Sequence, residues 1–369
     1  MTSRDKEEDL RAEETAGATE RHRREKHAVR EDDEPPRDAS RSGMTAQEAH
    51  DTAMALFTNN FYSLGAGAME VAETRAEDFT DAFVSYTAET NPELLRKIHD
   101  PSLQWSLFKA QKEYAKFGTD SLKEQLLCIL SERLASEDRS VKQVVLDEAV
   151  FVVPRLSQSQ IDCLTLIYAV IHYRPKITSL RVFIDYVNNR IMQFFSPSFD
   201  NPNLCMHLQD SRACSVLQEG AFYKPIEDIL RLRFKGLFSK GFTEEEFKTE
   251  IDPNVDKYRW LLTQCAKDPS RLQFNACDDR ELQELLEKNR MAERGDKIKR
   301  LYDRTTMSPT EFSKFLTSVN PAMSELLRIW KKEQGELKTL KLTSVGYVIA
   351  FLNFHRTTGG GIPLDSVFA

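Results

Sequence analysis

The sequence predicts an all-α protein, a multi-helix array around one central buried helix. The first observation is the run Asp162–Tyr173, the most continuously apolar stretch of the chain, which carries no Asp, Glu, Lys or Arg from Cys163 onwards. A helix that is apolar on every face must be buried, because no face of it is stable in water. The second observation is the near absence of strand signals. Only residues 339–342 alternate in the manner of a strand, so at most a short β element near the C-terminus is expected.

Both ends of the central helix are marked. Ser157 and Gln160 have the Ser-x-x-Gln form of a capping box, in which each side chain bonds the backbone of the other residue. Pro175 cannot continue a helix, and it disfavours helical geometry at the residue before it. The central helix is therefore predicted over residues 158–173.

Residues 1–43 differ in composition from the rest of the chain. They hold 10 Lys and Arg against 13 Asp and Glu, with few large apolar side chains. Such a segment cannot bury enough apolar surface to offset the entropy of ordering, so a disordered charged tail is predicted. The sequence leaves open whether translation starts at Met1 or at Met44, where the composition becomes that of a globular protein.

Residues 44–195 are predicted to form an N-terminal helical domain. Thr45 and Glu48 offer a capping box, Asn91 and Asp100 each precede a proline as at a helix start, and Gly118 ends a helix. Apolar residues at helical spacing predict helices over 45–61, 71–84, 101–117, 119–134, 141–153 and 182–194, besides the central one and a start at 92.

Residues 196–369 are predicted as a C-terminal helical region packed on the first domain, with 196–223 its least regular part. Thr243-x-x-Glu246 and Ser308-x-x-Glu311 are capping boxes flanked by the apolar pair of a hydrophobic staple. Gly346, inside a predicted helix that follows Thr343, indicates tight packing against a neighbouring element. Further helices are expected around 226–234, 282–286, 298–302, 322–330 and 345–354.

Composition limits the class of protein. The 369 residues carry a net charge of -7, which gives no electrostatic reason for general nucleic-acid affinity. The six cysteines are scattered, the N-terminus is too charged for a secretory signal, and no stretch has the roughly 18 consecutive apolar residues of a membrane span. A cytoplasmic protein with no membrane span and no cofactor is expected.

Thiols and imidazoles supply weak metal candidates. Cys205, His207 and Cys214 lie close in sequence, but the fourth ligand of a structural zinc site is missing, so a packed thiol and a hydrogen-bonded histidine are favoured. Cys163 and His172 are nine residues apart on one predicted helix. That is 2.5 turns, about 13 Å along the axis, and places them on opposite faces. They cannot act as nucleophile and base, and His172 is predicted to be structural.

Basic residues before the last helix supply nucleic-acid candidates. They are Arg328, Lys331, Lys332, Lys338 and Lys341. Together with the strand-like segment, they are similar to the edge of a winged helix. A solvated basic face is the favoured interpretation, and the helix 345–354 is interpreted as core in preference to a partner surface.

Four segments resemble a known family. They are Leu56-Phe-Thr-Asn-Asn-Phe-Tyr62, Asp100-Pro-x-x-Gln-Trp105 with Ala110-Gln-Lys-Glu-Tyr-Ala115, Gly236-Leu-Phe-Ser-Lys-Gly-Phe242, and Leu342-Thr-Ser-Val-Gly-Tyr-Val-Ile-Ala350. Their order resembles uncharacterised bacterial all-helical proteins known by locus-tag names, of the LPO/Vpar type, over about residues 45–369. The resemblance implies no activity, cofactor or catalytic residue. The last segment is also similar to Abi-alpha-type proteins of phage abortive infection.

Three functional hypotheses follow. The favoured one is a non-enzymatic interaction or sensor protein, with a protein partner or self-association, and with phage defence as the process. The alternatives are a DNA-binding regulator with a winged-helix-like C-terminal part, and an enzyme or metalloprotein whose site the sequence does not reveal.

Overall fold

The central helix forms where the sequence predicts it. The computed structural model describes residues 44–359 and 364, apart from 61–64, 138, 219 and 333–336. Within it, the α-helix Gln158–Ile167 continues as a π-helix over Tyr168–His172. Both bonds of the Ser157–Gln160 capping box are present, and residues 163–170 are all buried. The predicted disordered tail, residues 1–43, lies outside the described residues.

The all-α prediction is confirmed, and the helices are numbered here in chain order. In the first half they are α1 Ala46–Asn60, α2 Ala66–Thr90, α3 Pro101–Phe117, α4 Asp120–Ala135, α5 Val141–Val152, α6 Gln158–Ile167 and α7 Leu180–Tyr186. The start predicted at Pro92 is a 3-10 helix, Pro92–His99. The helix predicted at 182–194 instead changes type along its length, from α7 to a π-helix, Val187–Ile191, and a 3-10 turn, Met192–Phe194.

Among the described residues, the second half adds eight α-helices, three short 3-10 helices (Pro197–Asp200, Val255–Tyr258 and Leu337–Thr339) and two small sheets. The helices are α8 Pro202–Asp210, α9 Ile226–Arg233, α10 Glu244–Glu250, α11 Asp279–Lys288, α12 Ala292–Thr305, α13 Pro309–Val319, α14 Met323–Lys331 and α15 Ser344–Thr358. The strands are β1 Cys214–Val216, β2 Leu262–Gln264, β3 Leu272–Phe274 and β4 Leu340–Leu342. Antiparallel pairs join β1 to β4 and β2 to β3.

The segment 196–223, predicted to be the least regular, contains α8 and β1. Asn201 caps α8 by accepting a hydrogen bond from the backbone of Asn203, and Pro202 occupies the first helical turn, where its missing N–H costs nothing. The sequence predicted no helix here, although Asn201 followed by Pro202 has the form of a helix start.

The last helix, α15, packs against α4, α5 and α6. Its Asn353 amide donates to the Thr165 hydroxyl on α6 at 2.9 Å, so these two buried polar groups are paired. At its N-terminus Gly346 lies against the Ala213 carbonyl, which confirms the predicted close packing. Helices from both predicted regions thus share one core, while the boundary at residue 195 stays a prediction.

A second group of buried residues lies around β2, β3, α11 and α12. Its largest members are Phe242, Phe247, Tyr258, Phe274 and Tyr302. Phe242 and Phe247 stack with ring centroids 5.9 Å apart across the Thr243–Glu246 capping box. The predicted capping box and staple at the start of α10 are therefore both confirmed.

Candidate interaction surface

The metal candidates are held in place by packing and hydrogen bonds. Cys205 on α8 and Cys214 on β1 are buried, and burial raises the pKa of the Cys214 thiol. The Nδ1 atom of His207 lies 2.8 Å from the side-chain nitrogen of Gln160, so this ring nitrogen is already engaged in a hydrogen bond. The described residues contain no group of three or more His, Cys, Asp or Glu side chains that could hold a metal ion.

His172 lies at the end of the π-helix, where its ring contacts Tyr347 with centroids 5.1 Å apart. Burial lowers its pKa, and the nearby cations Arg174 and Arg233 lower it further. Arg233 also donates to the backbone carbonyls of Val170 and Tyr173, at 2.7 and 3.1 Å. These bonds satisfy carbonyls at the end of the π-helix, so this region is stabilised by contacts from α9.

The basic nucleic-acid candidates are mostly paired within the protein. Arg328 and Lys332 both bind the Asp200 carboxylate, at 3.0 and 2.7 Å, and Lys331 pairs with the buried Glu227. A phosphate would have to compete with these carboxylates.

The other two candidates lie beside the β1–β4 sheet. Lys338 lies over the Phe222 ring, 5.5 Å from its centroid, and Lys341 is exposed on β4. That strand pairs with β1, more than 120 residues earlier, rather than with a neighbouring strand of a hairpin wing.

A different surface exposes large apolar side chains together. Trp105 of α3 is 73% exposed, and Val141, Val144 and Phe151 of α5 are 71%, 51% and 47% exposed. The α3–α5 surface is defined here as these four residues with Lys109, Lys112 and Arg155.

Helical spacing explains why these side chains point outward. On α5, Val145, Leu146, Ala149 and Val150 face the core, which leaves positions 141, 144 and 151 on the outer face. On α3, Leu103, Leu107, Ala110 and Tyr114 face the core, which leaves 105, 109 and 112 outside.

Two contacts fix α3 beside α5. The Ser106 hydroxyl donates to the Asp147 carboxylate at 2.5 Å, and the same carboxylate accepts from Arg133 Nε of α4 at 2.8 Å. The Lys109 ammonium lies over the Phe151 ring, 4.0 Å from its centroid. The paired residues run in the same order along both helices, so α3 and α5 are parallel and their outer faces form one surface.

The surface carries unpaired positive charge. Unlike Arg328, Lys331 and Lys332, the side chains of Lys109, Lys112 and Arg155 form no ion pair within the described part of the chain. Burial lowers the pKa of Lys109, and the neighbouring cations, Arg155 among them, add to the shift although Glu113 opposes it. The cations therefore repel one another, and an anion bound here would relieve that repulsion.

A groove of about 630 Å³ borders the other side of Phe151. It is lined by both acidic and basic side chains, including Glu148, Arg155, Asp210 and Arg212, and it reaches Ser344 at the N-terminus of α15. The exposed apolar residues of α5, Val141, Val144 and Phe151, are called the ridge here, and Phe151 separates the groove from Lys109 of α3.

The sequence held a signal for this surface. The segment 141–152 has apolar residues on its outer as well as its inner face, and Trp105 falls outside the inner stripe of α3. Without the fold, nothing in the sequence indicated whether a neighbouring helix covers the outer face of α5.

Comparison with known proteins identifies a family. A family model matches residues 43–368 of the chain. The family it describes is uncharacterised and carries a locus-tag name. No curated protein and no solved structure matches the chain significantly. Within the described residues, no helix is both long enough and apolar enough to cross a membrane.

Proposed function

The chain belongs to the uncharacterised family whose model matches residues 43–368, and for this member we propose a non-enzymatic role as an interaction or sensor protein that docks a partner protein on the α3–α5 surface. The observation that supports this role is the exposure of Trp105, Val144 and Phe151 on one surface. Single exposed apolar residues are ordinary, but neighbouring ones rimmed by charge are typical of binding sites.

Trp105 is the proposed anchor. Tryptophan is enriched among the residues that dominate interface energetics, and truncating such a residue typically costs about 2–4 kcal/mol of binding free energy. Its indole is held on α3, whose opposite face is fixed in the core by Leu103 and Leu107. Because the helix backbone that carries the indole is already fixed, only the two side-chain torsions of Trp105 lose freedom on binding, which favours affinity.

Site-specific photocrosslinking tests the proposal. A photoreactive residue placed at Val144 should give a defined protein adduct in the native cells. The matched control is Met206, which is 53% exposed against 51% for Val144 but lies on α8. The partner identified from the adduct is then purified, and it should bind the wild-type chain at least tenfold more tightly than it binds Trp105→Ala. Equal crosslinking at both positions, or equal affinity for both proteins, would contradict the proposal.

Phage defence is the process proposed for this interaction. Its support is the similarity of Leu342–Ala350 to Abi-alpha-type proteins. A host carrying the gene should survive phage challenge better than a matched host carrying Trp105→Ala, measured as plaque number. Equal plaque numbers across a phage panel would count against this process without affecting the docking proposal.

A further inference from the structure

We infer that the partner presents an acidic amphipathic helix to the α3–α5 surface. The inference rests on the proposed function and names the chemistry of its partner. It is argued from the shape of the α5 ridge, the unpaired cations beside it and the way Lys109 covers the Phe151 ring.

The shape of the ridge matches a helix. Val141, Val144 and Phe151 are spaced at intervals of three and seven residues, and they span eleven residues of α5, a rise of about 15 Å. That length equals nearly three turns of a partner helix. Apolar residues at i, i+3, i+4 and i+7 of such a helix would form a stripe that packs along the ridge.

The positive charge beside the ridge favours a partner whose polar residues are acidic. Lys109 and Lys112 lie along α3 on one side of the ridge, and Arg155 follows α5. Because none of the three has an ion-pair partner in the described chain, Asp or Glu residues flanking the apolar stripe of the partner would gain new pairs without breaking existing ones. Two acidic residues also lie here, Glu148 between Val144 and Phe151 on α5 and Glu113 beside Lys109 on α3, so the three cations outnumber them. A basic partner would meet net repulsion from this surface.

Two other occupants fit less well. Single-stranded nucleic acid binds by stacking successive bases on open aromatic faces, and this surface offers one such face, Trp105. One face of Phe151 is covered by the Lys109 ammonium at 4.0 Å, and the valines offer no ring on which a second base could stack. A second copy of the chain would present the same patch, because a two-fold interface is self-complementary, and would bring like cations together.

Peptide titration followed by tryptophan emission tests the inference on the full-length protein. Three 18-residue peptides are compared: an acidic amphipathic helix with a leucine stripe, the same composition scrambled, and the same stripe with lysine replacing glutamate. The acidic amphipathic peptide should shift the emission of Trp105 to shorter wavelength and bind at least tenfold more tightly than the other two. Loss of the shift in Trp105→Phe assigns the signal to Trp105, because the half-buried Trp260 and the buried Trp330 remain in that variant.

Reversing the charge of two lysines on the α3–α5 surface tests the inference, and reversing two cations elsewhere is the control. Lys109→Glu/Lys112→Glu should weaken the acidic peptide at least tenfold and strengthen the lysine peptide. Lys297→Glu/Arg300→Glu, which reverses two exposed cations on α12, should change neither affinity more than twofold. Circular dichroism confirms that each variant remains folded.

Other outcomes overturn the inference. Equal binding of all three peptides, or tighter binding of a 20-nucleotide oligothymidine that displaces the peptide, would refute an acidic helix as the occupant. If no peptide binds while Val144 still crosslinks a partner, the inference fails and the proposed function stands. If Val144 gives no specific adduct, the proposed function fails as well.

Discussion

Gly346 offers the sharpest test of the packing between α15 and β1. A Cβ atom at this position would lie 1.8 Å from the Ala213 carbonyl oxygen and 2.8 Å from its carbon. These are backbone atoms, and the same oxygen accepts hydrogen bonds from the Thr343 backbone at 3.2 Å and hydroxyl at 3.0 Å. Neither side can move without separating the helix from the strand.

The magnitude of Gly346→Ala follows from two opposing terms. Overpacking costs typically about 1–3 kcal/mol, and a contact this short belongs at or above the upper end of that range. Alanine is favoured over glycine inside a helix by about 1 kcal/mol. The variant should therefore lose about 2 kcal/mol or more of unfolding free energy.

Gly295 is the matched control. It also lies inside a helix, α12, but an added Cβ would meet only Leu286 Cδ1 at 4.0 Å, an ordinary contact. Gly295→Ala should therefore gain about 0.5–1 kcal/mol from helix propensity alone. Urea unfolding followed by circular dichroism measures both variants. A change of the same sign in the two, or a loss below about 0.5 kcal/mol for Gly346→Ala, would refute the packing argument.

Three further predictions concern the core, a helix cap and pH. Leu166→Ala, in the buried part of α6, should cost about 2–5 kcal/mol of unfolding free energy in urea; a loss below about 1 kcal/mol would show that α6 is not the core. Ser308→Ala should cost about 1 kcal/mol of unfolding free energy, because it removes the hydrogen bond that the Ser308 hydroxyl accepts from the Glu311 backbone N–H at the start of α13. An unchanged melting temperature would contradict this. Burial and the cations Arg174 and Arg233 lower the pKa of His172, so the unfolded chain binds a proton more readily than the folded one. Wild-type stability should therefore fall as pH drops below about 6.5, and the wild type should lose more than His172→Gln between pH 7 and pH 5; equal losses would refute it.

Features set by local sequence were predictable. The Ser157 and Thr243 capping boxes depend on side chains three residues apart, and the alternating segment that becomes β4 is equally local. Gly346 stood out because glycine is costly inside a helix unless a neighbour requires it. Each of these signals acts over one or two helical turns, so the sequence carries it directly.

Features set by distant contacts were not predictable. The π-helix after α6 is supported by Arg233, which bonds Val170 O from 63 residues away, and β1 has a partner more than 120 residues later. Neither contact leaves a periodic signal in the sequence. The β2–β3 sheet was missed although its strands are as long as β4, because Leu262-Thr-Gln264 does not alternate and the pairing of β2 with β3 leaves no local signal.

For the functional surface too, the contacts between residues distant in sequence could not be predicted. The candidate cations at 328–332 looked available in sequence, but Asp200 and Glu227 are brought to them only by the fold. Only the fold places Lys109 and Lys112 beside the exposed ridge of α5, because nothing local to their sequence indicates which helix lies next to α3. Cys205, His207 and Cys214 stay weak metal candidates, and a packed thiol with a hydrogen-bonded histidine stays the favoured interpretation.

Trp105→Ala tests the central claim most directly, because it separates folding from binding. The side chain is 73% exposed, so the account predicts a change of no more than about 0.5 kcal/mol in unfolding free energy. It predicts at least a tenfold loss of affinity for the partner crosslinked at Val144, measured by calorimetry. A stability loss above about 2 kcal/mol, or unchanged affinity, would show that the exposed indole is not a binding anchor.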